Sequence, residues 1–132
     1  MTIPVLLAGH GALPSGIADA AELVLGPQPR LAVCELGPAE SPESYRERLA
    51  DLAGPVSGTG AGVLVLADLP GGTPANAAKL LAARRGGIRI VTGLNLPMLL
   101  EVLVRGGDLD ELAGLAQSAG RDGVLTEPVL TR

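Results

Sequence analysis

Short apolar runs alternate with longer amphipathic stretches along this chain. Four of the runs are rich in Val, Leu or Ile, are bounded by Gly or Pro, and are short, so they predict buried strands. These predicted strands cover residues 3–9, 30–36, 62–68 and 88–93. Their apolar residues are consecutive rather than alternating, which favours strands that are covered on both faces of a sheet.

Helical patterns occupy the intervals between these runs. The predicted helices cover residues 15–25, 41–53 and 73–85. Ser15, Ser41 and Thr73 are the expected N-caps, because a hydroxyl side chain at that position accepts a hydrogen bond from the first turn of a helix. Pro42 and Pro74 follow two of these caps at the first helical position. Strand–helix alternation of this kind builds parallel sheets.

The last third of the chain is denser in helix. Asn95 and Asp108 are interpreted as caps of two further helices, and residues 123–130 as a fifth strand that Pro128 confines to an edge position. No linker or repeat divides residues 1–132. We therefore predict a single α/β domain: a mainly parallel sheet of four strands flanked by helices, with a C-terminal fifth strand at its edge.

Composition narrows the class of protein. Of the 132 residues 47% are hydrophobic, yet Phe and Trp are absent and Tyr45 is the single aromatic residue, so the core must be aliphatic. A net charge of −4 offers no basic face for nucleic acid. No apolar stretch approaches the roughly 20 residues of a spanning helix, and the first residues lack the basic flank of a signal peptide. Because the lone Cys34 allows no internal disulfide, a reducing, cytoplasmic location is expected.

Candidate chemistry collects where the predicted strands end, because ligands of open parallel sheets bind beyond the carboxyl ends of the strands. The first strand ends at His10, the only histidine, and the third ends at Asp68. A carboxylate that accepts the Nδ1 proton would fix the tautomer of the ring and leave Nε2 free as a nucleophile. One His, one Cys and scattered carboxylates show no metal-ligand spacing, so no metal is expected.

A glycine turn follows Asp68 and leads directly into a predicted helix. Gly71 and Gly72 let the backbone approach an anion closely, and the helix start adds free N–H groups, the positive end of the dipole and the Thr73 hydroxyl. A histidine nucleophile, an orienting carboxylate and an anion-binding turn together describe phosphoryl transfer through a phosphohistidine.

Each of these features also has a simpler explanation. Asp68 alone would serve as a turn cap, and the glycines alone would serve the tight connection. Single residues argue against two nucleotide-binding motifs. A dinucleotide fingerprint that began at Gly9 would need a third glycine where Pro14 stands, and no Lys precedes Thr73 as a Walker loop requires.

Three segments of the chain are informative in combination. They are VLLAGHGALPSGIADAAELVLG at 5–26, VLVLADLPGGTPANAA at 63–78 and VTGLNLPMLLEVL at 91–103. The first has a His-Gly pair at a strand end, the second an Asp, a Gly-Gly-Thr-Pro turn and an Asn, and the third a Val-x-Gly-x-Asn-Leu-Pro-Met stretch. In this order they resemble the mannose-family IIA components of the bacterial phosphoenolpyruvate:sugar phosphotransferase system, over nearly the whole chain.

The resemblance implies roles for particular residues. His10 would be phosphorylated, Asp68 would be its hydrogen-bonded partner, and Gly71, Gly72 and Thr73 would bind the phosphoryl group. The resemblance also implies the histidine phosphocarrier protein as donor, a IIB component as acceptor, and no metal, nucleotide or other cofactor.

The resemblance further implies that the sheet is doubly wound. It also implies a homodimer that exchanges its C-terminal strands and that meets the membrane only through the transporter complex. Pro70 departs from the family pattern, because many members carry a bulky aromatic residue there, so the partner is less well predicted than the chemistry. Two other functions fit the same residues: a regulatory phosphohistidine module that reports carbon or nitrogen status, and a non-catalytic anion-binding domain.

Overall fold

The computed structural model describes residues 2–54 and 62–130. The strands are β1 (Val5–His10), β2 (Leu31–Leu36), β3 (Val63–Ala67) and β4 (Ile88–Thr92). The helices are α1 (Leu13–Leu25), α2 (Pro42–Ala53), α3 (Thr73–Arg85), α4 (Leu96–Val104) and α5 (Leu109–Asp122). All four predicted strands are present, each within two residues of its predicted limits.

The strands form one parallel sheet in the order β2-β1-β3-β4. The chain winds outward from β1 to β2 in one direction and from β3 to β4 in the other, so the predicted doubly wound fold is confirmed. The order reverses between β1 and β3, and this switch point is where ligands bind in such sheets. His10 ends β1, and Asp68 directly follows β3.

Helices cover both faces of the sheet, as the consecutive apolar residues of β1 and β3 predict. Successive side chains of a strand point to opposite faces. Leu7 belongs to the core beneath α1, α4 and α5, whereas Leu6 belongs to the core beneath α2 and α3. Tyr45 is fully buried in the second core, and its hydroxyl donates to the Cys34 carbonyl oxygen at 2.7 Å. Cys34 is buried as well, as expected of a small apolar side chain.

Three of the predicted helix caps are confirmed. Ser41 and Asn95 accept hydrogen bonds from the first turns of α2 and α4. Asp108 forms a capping box with Glu111 at the start of α5. In a capping box, two otherwise unpaired backbone N–H groups are satisfied by the two side chains.

The other two predicted caps are wrong. Helix α1 begins at Leu13, with Ala12 as N-cap, so Ser15 lies inside its first turn. Proline is compatible with the second helical position, where Pro14 lies, because the N–H of a residue in the first turn makes no hydrogen bond within the helix. Helix α3 has Gly72 as N-cap, and Thr73 is its first helical residue.

The predicted fifth strand is absent from the sheet of the chain itself. After α5, residues 124–130 form no regular secondary structure and are exposed. A strand requires hydrogen-bonded neighbours, and within one chain these residues pair with no strand of the described sheet. In the described part of the chain, no helix is both long enough and apolar enough to cross a bilayer.

Candidate functional site

The side chain of His10 lies at the carboxyl end of β1, beside the switch point of the sheet. Its Nδ1 is 2.8 Å from Oδ2 of Asp68. The two side chains differ in accessibility, since that of His10 is 48% exposed and that of Asp68 is 5% exposed. The sheet therefore presents the ring to solvent and holds the carboxylate beneath it.

The Asp68 carboxylate is fixed by backbone groups as well as by the ring. Oδ2 also accepts from the His10 backbone N–H at 2.8 Å, and Oδ1 accepts from the Leu69 N–H at 2.9 Å. Burial alone would raise the pKa of Asp68, but the hydrogen bonds from His10 and Leu69 outweigh burial and hold this pKa below its ordinary value. Asp68 is therefore ionised at neutral pH. In the His10 tautomer that donates its Nδ1 proton to this carboxylate, Nε2 carries a free lone pair.

Gly9 makes room for this arrangement. A Cβ atom at Gly9 would lie 3.2 Å from Cγ of Asp68 and 3.1 Å from Cγ of Pro14. The carboxylate and the first turn of α1 therefore pack closely against the bare backbone of β1. The same close packing holds the Oδ2 atom within reach of the His10 backbone N–H.

The glycine turn between β3 and α3 lies against the His10 ring. Gly71 has φ of +83°, a left-handed conformation that glycine adopts without strain. Gly72 has an ordinary backbone conformation, but a Cβ there would lie 2.9 Å from Cε1 of His10 and 3.5 Å from Nε2. The structure therefore brings Gly72 next to Nε2 of His10, whereas Gly71 shapes the turn.

The amino end of α3 carries no side-chain cap. Within residues 2–54 and 62–130, the N–H groups of Gly72 and Thr73 donate to no protein acceptor. Unpaired N–H groups and the positive end of the helix dipole favour an anion here. Thr73 contributes its hydroxyl as the first residue of the helix, not as the cap that the sequence predicted.

Two contributors to the site were missed at the level of the sequence. The side chain of Asn76 donates to the Gly71 carbonyl oxygen at 3.2 Å. On the other side of β1, the Glu35 carboxylate accepts from the Ser15 N–H at 3.0 Å, and bonds from Ser15 lower the pKa of Glu35. The Asn in the resemblance was a signal for Asn76, and the place of Glu35 at the end of the second predicted strand was a signal for Glu35.

Metal ligands do not converge in the described residues, where no three His, Cys, Asp or Glu side chains are placed to hold one ion. The pairing of His10 with Asp68 is what a nucleophilic histidine requires, and the adjoining helix start is what a phosphoryl group requires. This geometry fits the chemistry that the resemblance implies.

Comparison with known families agrees with the geometry. The family model described as the PTS system fructose IIA component, EIIA-man, matches residues 4–118. The chain belongs to this IIA family. The resemblance found in the sequence is thereby confirmed, and IIA components of this system are phosphotransfer proteins.

Individual relatives lead to the same family. The chain is 35% identical to the PTS system mannose-specific EIIAB component of Escherichia coli strain K12, over 94% of this chain and 39% of that protein. The chain thus spans about two fifths of the length of that relative. It is 30% identical to the PTS system sorbose-specific EIIA component of Lacticaseibacillus casei, over 80% of this chain and 75% of the relative.

A solved IIA structure superposes along the whole chain. The mannose/sorbose specific IIA subunit of the phosphotransferase system from Enterococcus faecalis matches with a TM-score of 0.89 and 28% identity. The match covers 100% of this chain and 99% of the solved one. The fold described above is therefore the fold of a IIA component.

Proposed function

We propose that this chain is a phosphocarrier that accepts a phosphoryl group on Nε2 of His10 and passes it to a second protein. The observation that carries the proposal is the 2.8 Å contact between Nδ1 of His10 and the buried carboxylate of Asp68. A His10 ring that donates its Nδ1 proton to Asp68 has a free lone pair on Nε2, and that nitrogen lies beside the uncapped amino end of α3.

The proposed transfer needs no proton to move. The Nε2 lone pair of His10 attacks phosphorus in line, and the bond from phosphorus to the donor nitrogen breaks with its electron pair returning to the donor. The His10 ring gains positive charge, which the ionised Asp68 stabilises through the Nδ1–H. The N–H groups of Gly72 and Thr73, together with the Thr73 hydroxyl, bind the phosphoryl oxygens, and Gly71 permits the turn that presents them.

Membership of the IIA family supports the identity of the partners. The proposed donor is the histidine phosphocarrier protein, and the proposed acceptor is a IIB component that serves sugar uptake. Both would meet the chain in the cytoplasm. Leu13 and Leu69 flank the site and are 45% and 46% exposed, so they offer apolar contacts to a docking protein. Pro70 replaces the bulky aromatic residue of many relatives, and its effect on the choice of partner stays a prediction.

We also propose that the chain acts as a homodimer with exchanged C-terminal segments. In the single chain, Val129 and Leu130 are 88% and 93% exposed, which is unusual for apolar residues. Strand β4 ends the sheet and offers an open edge to a partner segment. A chain that ends at Gly123 would then sediment as a monomer in analytical ultracentrifugation, whereas the full chain would sediment as a dimer.

The decisive experiment is phosphorylation of the purified chain by phosphoenolpyruvate, enzyme I and the histidine phosphocarrier protein. We expect an acid-labile, base-stable label on the native chain and none on His10→Ala. A control IIA protein charged by the same donors shows that the reagents work. Absence of label on the native chain, with phosphate binding intact, would instead support a non-catalytic anion-binding domain.

A second step separates transport from regulation. The labelled chain is mixed with IIB components, and loss of label to a IIB protein supports sugar uptake. Retention of label against every IIB component encoded near the gene supports a regulatory phosphohistidine module.

A further inference from the structure

Asn76 lies in the first turn of α3 and holds both carbonyl groups of the glycine turn. Its side-chain Nδ2 donates to the Gly71 carbonyl oxygen at 3.2 Å, and its backbone N–H donates to the Gly72 carbonyl oxygen at 2.9 Å. One residue therefore fixes the orientation of two consecutive peptide planes. These planes join Gly71 to Gly72 and Gly72 to Thr73.

The orientation of those carbonyl groups determines where the neighbouring N–H groups point. In a trans peptide, the N–H of the following residue points away from the C=O of the same plane, and the peptide bonds of the turn are trans. Because both C=O groups point toward Asn76, the N–H groups of Gly72 and Thr73 point out of the amino end of α3. Gly72 is also the residue whose missing Cβ would lie 3.5 Å from Nε2 of His10.

We propose that Asn76 is a positioning residue for phosphoryl transfer, which aims the Gly72 and Thr73 N–H groups at the phosphoryl group on His10. This inference rests on the proposed function and adds a residue to it. Neither glycine has a side chain that hinders rotation of the peptide between them, so the side-chain bond from Asn76 is what holds that plane. A rotated plane would turn the carbonyl oxygen of Gly71 toward the phosphoryl oxygens and repel them.

The test compares Asn76→Ala with Asn76→Gln, which keeps an amide donor, and with Lys79→Ala as a control on the exposed face of the same helix. Each protein is phosphorylated with phosphoramidate, a small reagent that requires no partner protein. Nε2 of His10 attacks phosphorus, and ammonia leaves with the electron pair of the P–N bond. The rate of labelling and the ¹H–¹⁵N spectrum are recorded before and after the reaction.

In the native protein and in Lys79→Ala, the Gly72 and Thr73 amide protons should shift downfield on phosphorylation. In Asn76→Ala the Gly72 shift should be lost and labelling should slow about fivefold, as expected for one hydrogen bond of ordinary net strength. Asn76→Gln should recover part of both effects. Ala is a better helix former than Asn, so a loss of helix would not explain the result. Asn76→Asp, which has the same shape without the donor, should show the same loss of the Gly72 shift.

Two outcomes overturn the inference in distinguishable ways. If Asn76→Ala and Asn76→Asp label at the native rate with native Gly72 shifts, Asn76 does not position the turn, and the proposed function is unaffected. If His10 of the native protein takes no label from phosphoramidate, the proposed function and the role of Asn76 fail together.

Discussion

The amino ends of α1 and α3 both lie at the carboxyl edge of the sheet, and they begin with similar sequences. Leu13-Pro14 opens α1 and Thr73-Pro74 opens α3, and neither helix is capped by the side chain of its own N-cap residue. At α1, however, the carboxylate of Glu35 accepts the Ser15 N–H from a neighbouring strand. At α3, no side chain in residues 2–54 and 62–130 takes the corresponding place.

The two helix starts differ in the charge that lies against them more than in backbone geometry. A helix start attracts an anion through its N–H groups and dipole, and a protein carboxylate satisfies that attraction as well as a phosphate does. Glu35 therefore occupies the end of α1, whereas the end of α3 carries no side-chain cap, as the proposed binding of a phosphoryl group requires.

Two carboxylates lie on either side of Gly9 and have different roles. Glu35 is the register partner of Gly9 on β2, and Asp68 follows Ala67, the partner of Ala8 on β3. Glu35 stabilises a helix start, and Asp68 orients the His10 ring. Substitutions at these positions should therefore separate stability from phosphoryl transfer.

The largest effect is expected from Gly72→Asp, which would make the start of α3 resemble that of α1. The new carboxylate would cap the helix and repel the phosphoryl group, and its Cβ would press on Cε1 of His10. We expect phosphorylation to fall about a hundredfold or more. Gly72→Ala introduces the same steric contact without the charge, and comparing the two initial rates of labelling isolates the electrostatic part. Equal rates in both variants would remove electrostatics from the explanation.

The sequence predicts the central part of this site because its signals are local. Consecutive apolar residues identify β1 and β3, and a His and an Asp that directly follow two such runs must meet at one edge of a parallel sheet. The cap of α1 is not local, since Glu35 and Ser15 are 20 residues apart. Ser15 was predicted as the N-cap, but the helix already starts at the Leu13-Pro14 pair before it.

The exposed C-terminal segment shows a second limit of prediction from sequence. The apolar pattern of residues 123–130 is typical of a strand, yet a strand also needs a hydrogen-bonding neighbour, and these residues pair with no strand of the described sheet.

The next effect in size is expected from Asp68→Asn. The amide oxygen would still accept from Nδ1–H, but the positive ring of phosphohistidine would lose its counter-charge, so transfer should slow roughly tenfold to a hundredfold. The measurement is the initial rate of His10 labelling, with Glu35→Gln as the matched control for loss of one carboxylate beside Gly9. If labelling slows by the same factor in both variants, the two carboxylates do not have separate roles.

Asp68 should also leave a signature in the pH dependence of stability. The pKa of Asp68 is lower in the folded protein than in the unfolded chain, for which the ordinary value of 3.8 applies. The stabilisation by Asp68 is therefore fully present above the unfolded pKa and is lost as the pH falls through the folded pKa. The free energy of unfolding of the native protein should therefore exceed that of Asp68→Asn at pH 6, and the gap should narrow below about pH 4. Urea titrations at several pH values measure this; a gap that does not change with pH would contradict the assignment.

A smaller effect, on stability alone, is expected from Glu35→Ala. The first turn of α1 would lose its only side-chain acceptor among the described residues, at a cost of about 1 kcal/mol in the free energy of unfolding. Urea unfolding measures this loss, and the rate of His10 labelling should change less than twofold. Glu35→Gln keeps an oxygen acceptor and should recover part of the stability. A large loss of labelling in Glu35→Ala would show that the two helix starts are coupled.

The smallest effect on stability is expected from Thr73→Ala, and it tests how α3 begins. Because Gly72 is the N-cap and Thr73 only the first helical residue, removal of the hydroxyl should change the free energy of unfolding by less than about 0.5 kcal/mol, whereas loss of a true cap costs about 1 kcal/mol. Labelling of His10 should slow about fivefold through loss of one donor to the phosphoryl oxygens, and Thr73→Ser should restore it. A matched Ser41→Ala variant removes a true cap and gives the reference loss of stability. If Thr73→Ala loses as much stability, Thr73 acts as the cap of α3. The amino end of α3 would then be partly capped by the Thr73 hydroxyl. It would differ from the amino end of α1 only in the absence of a bound carboxylate.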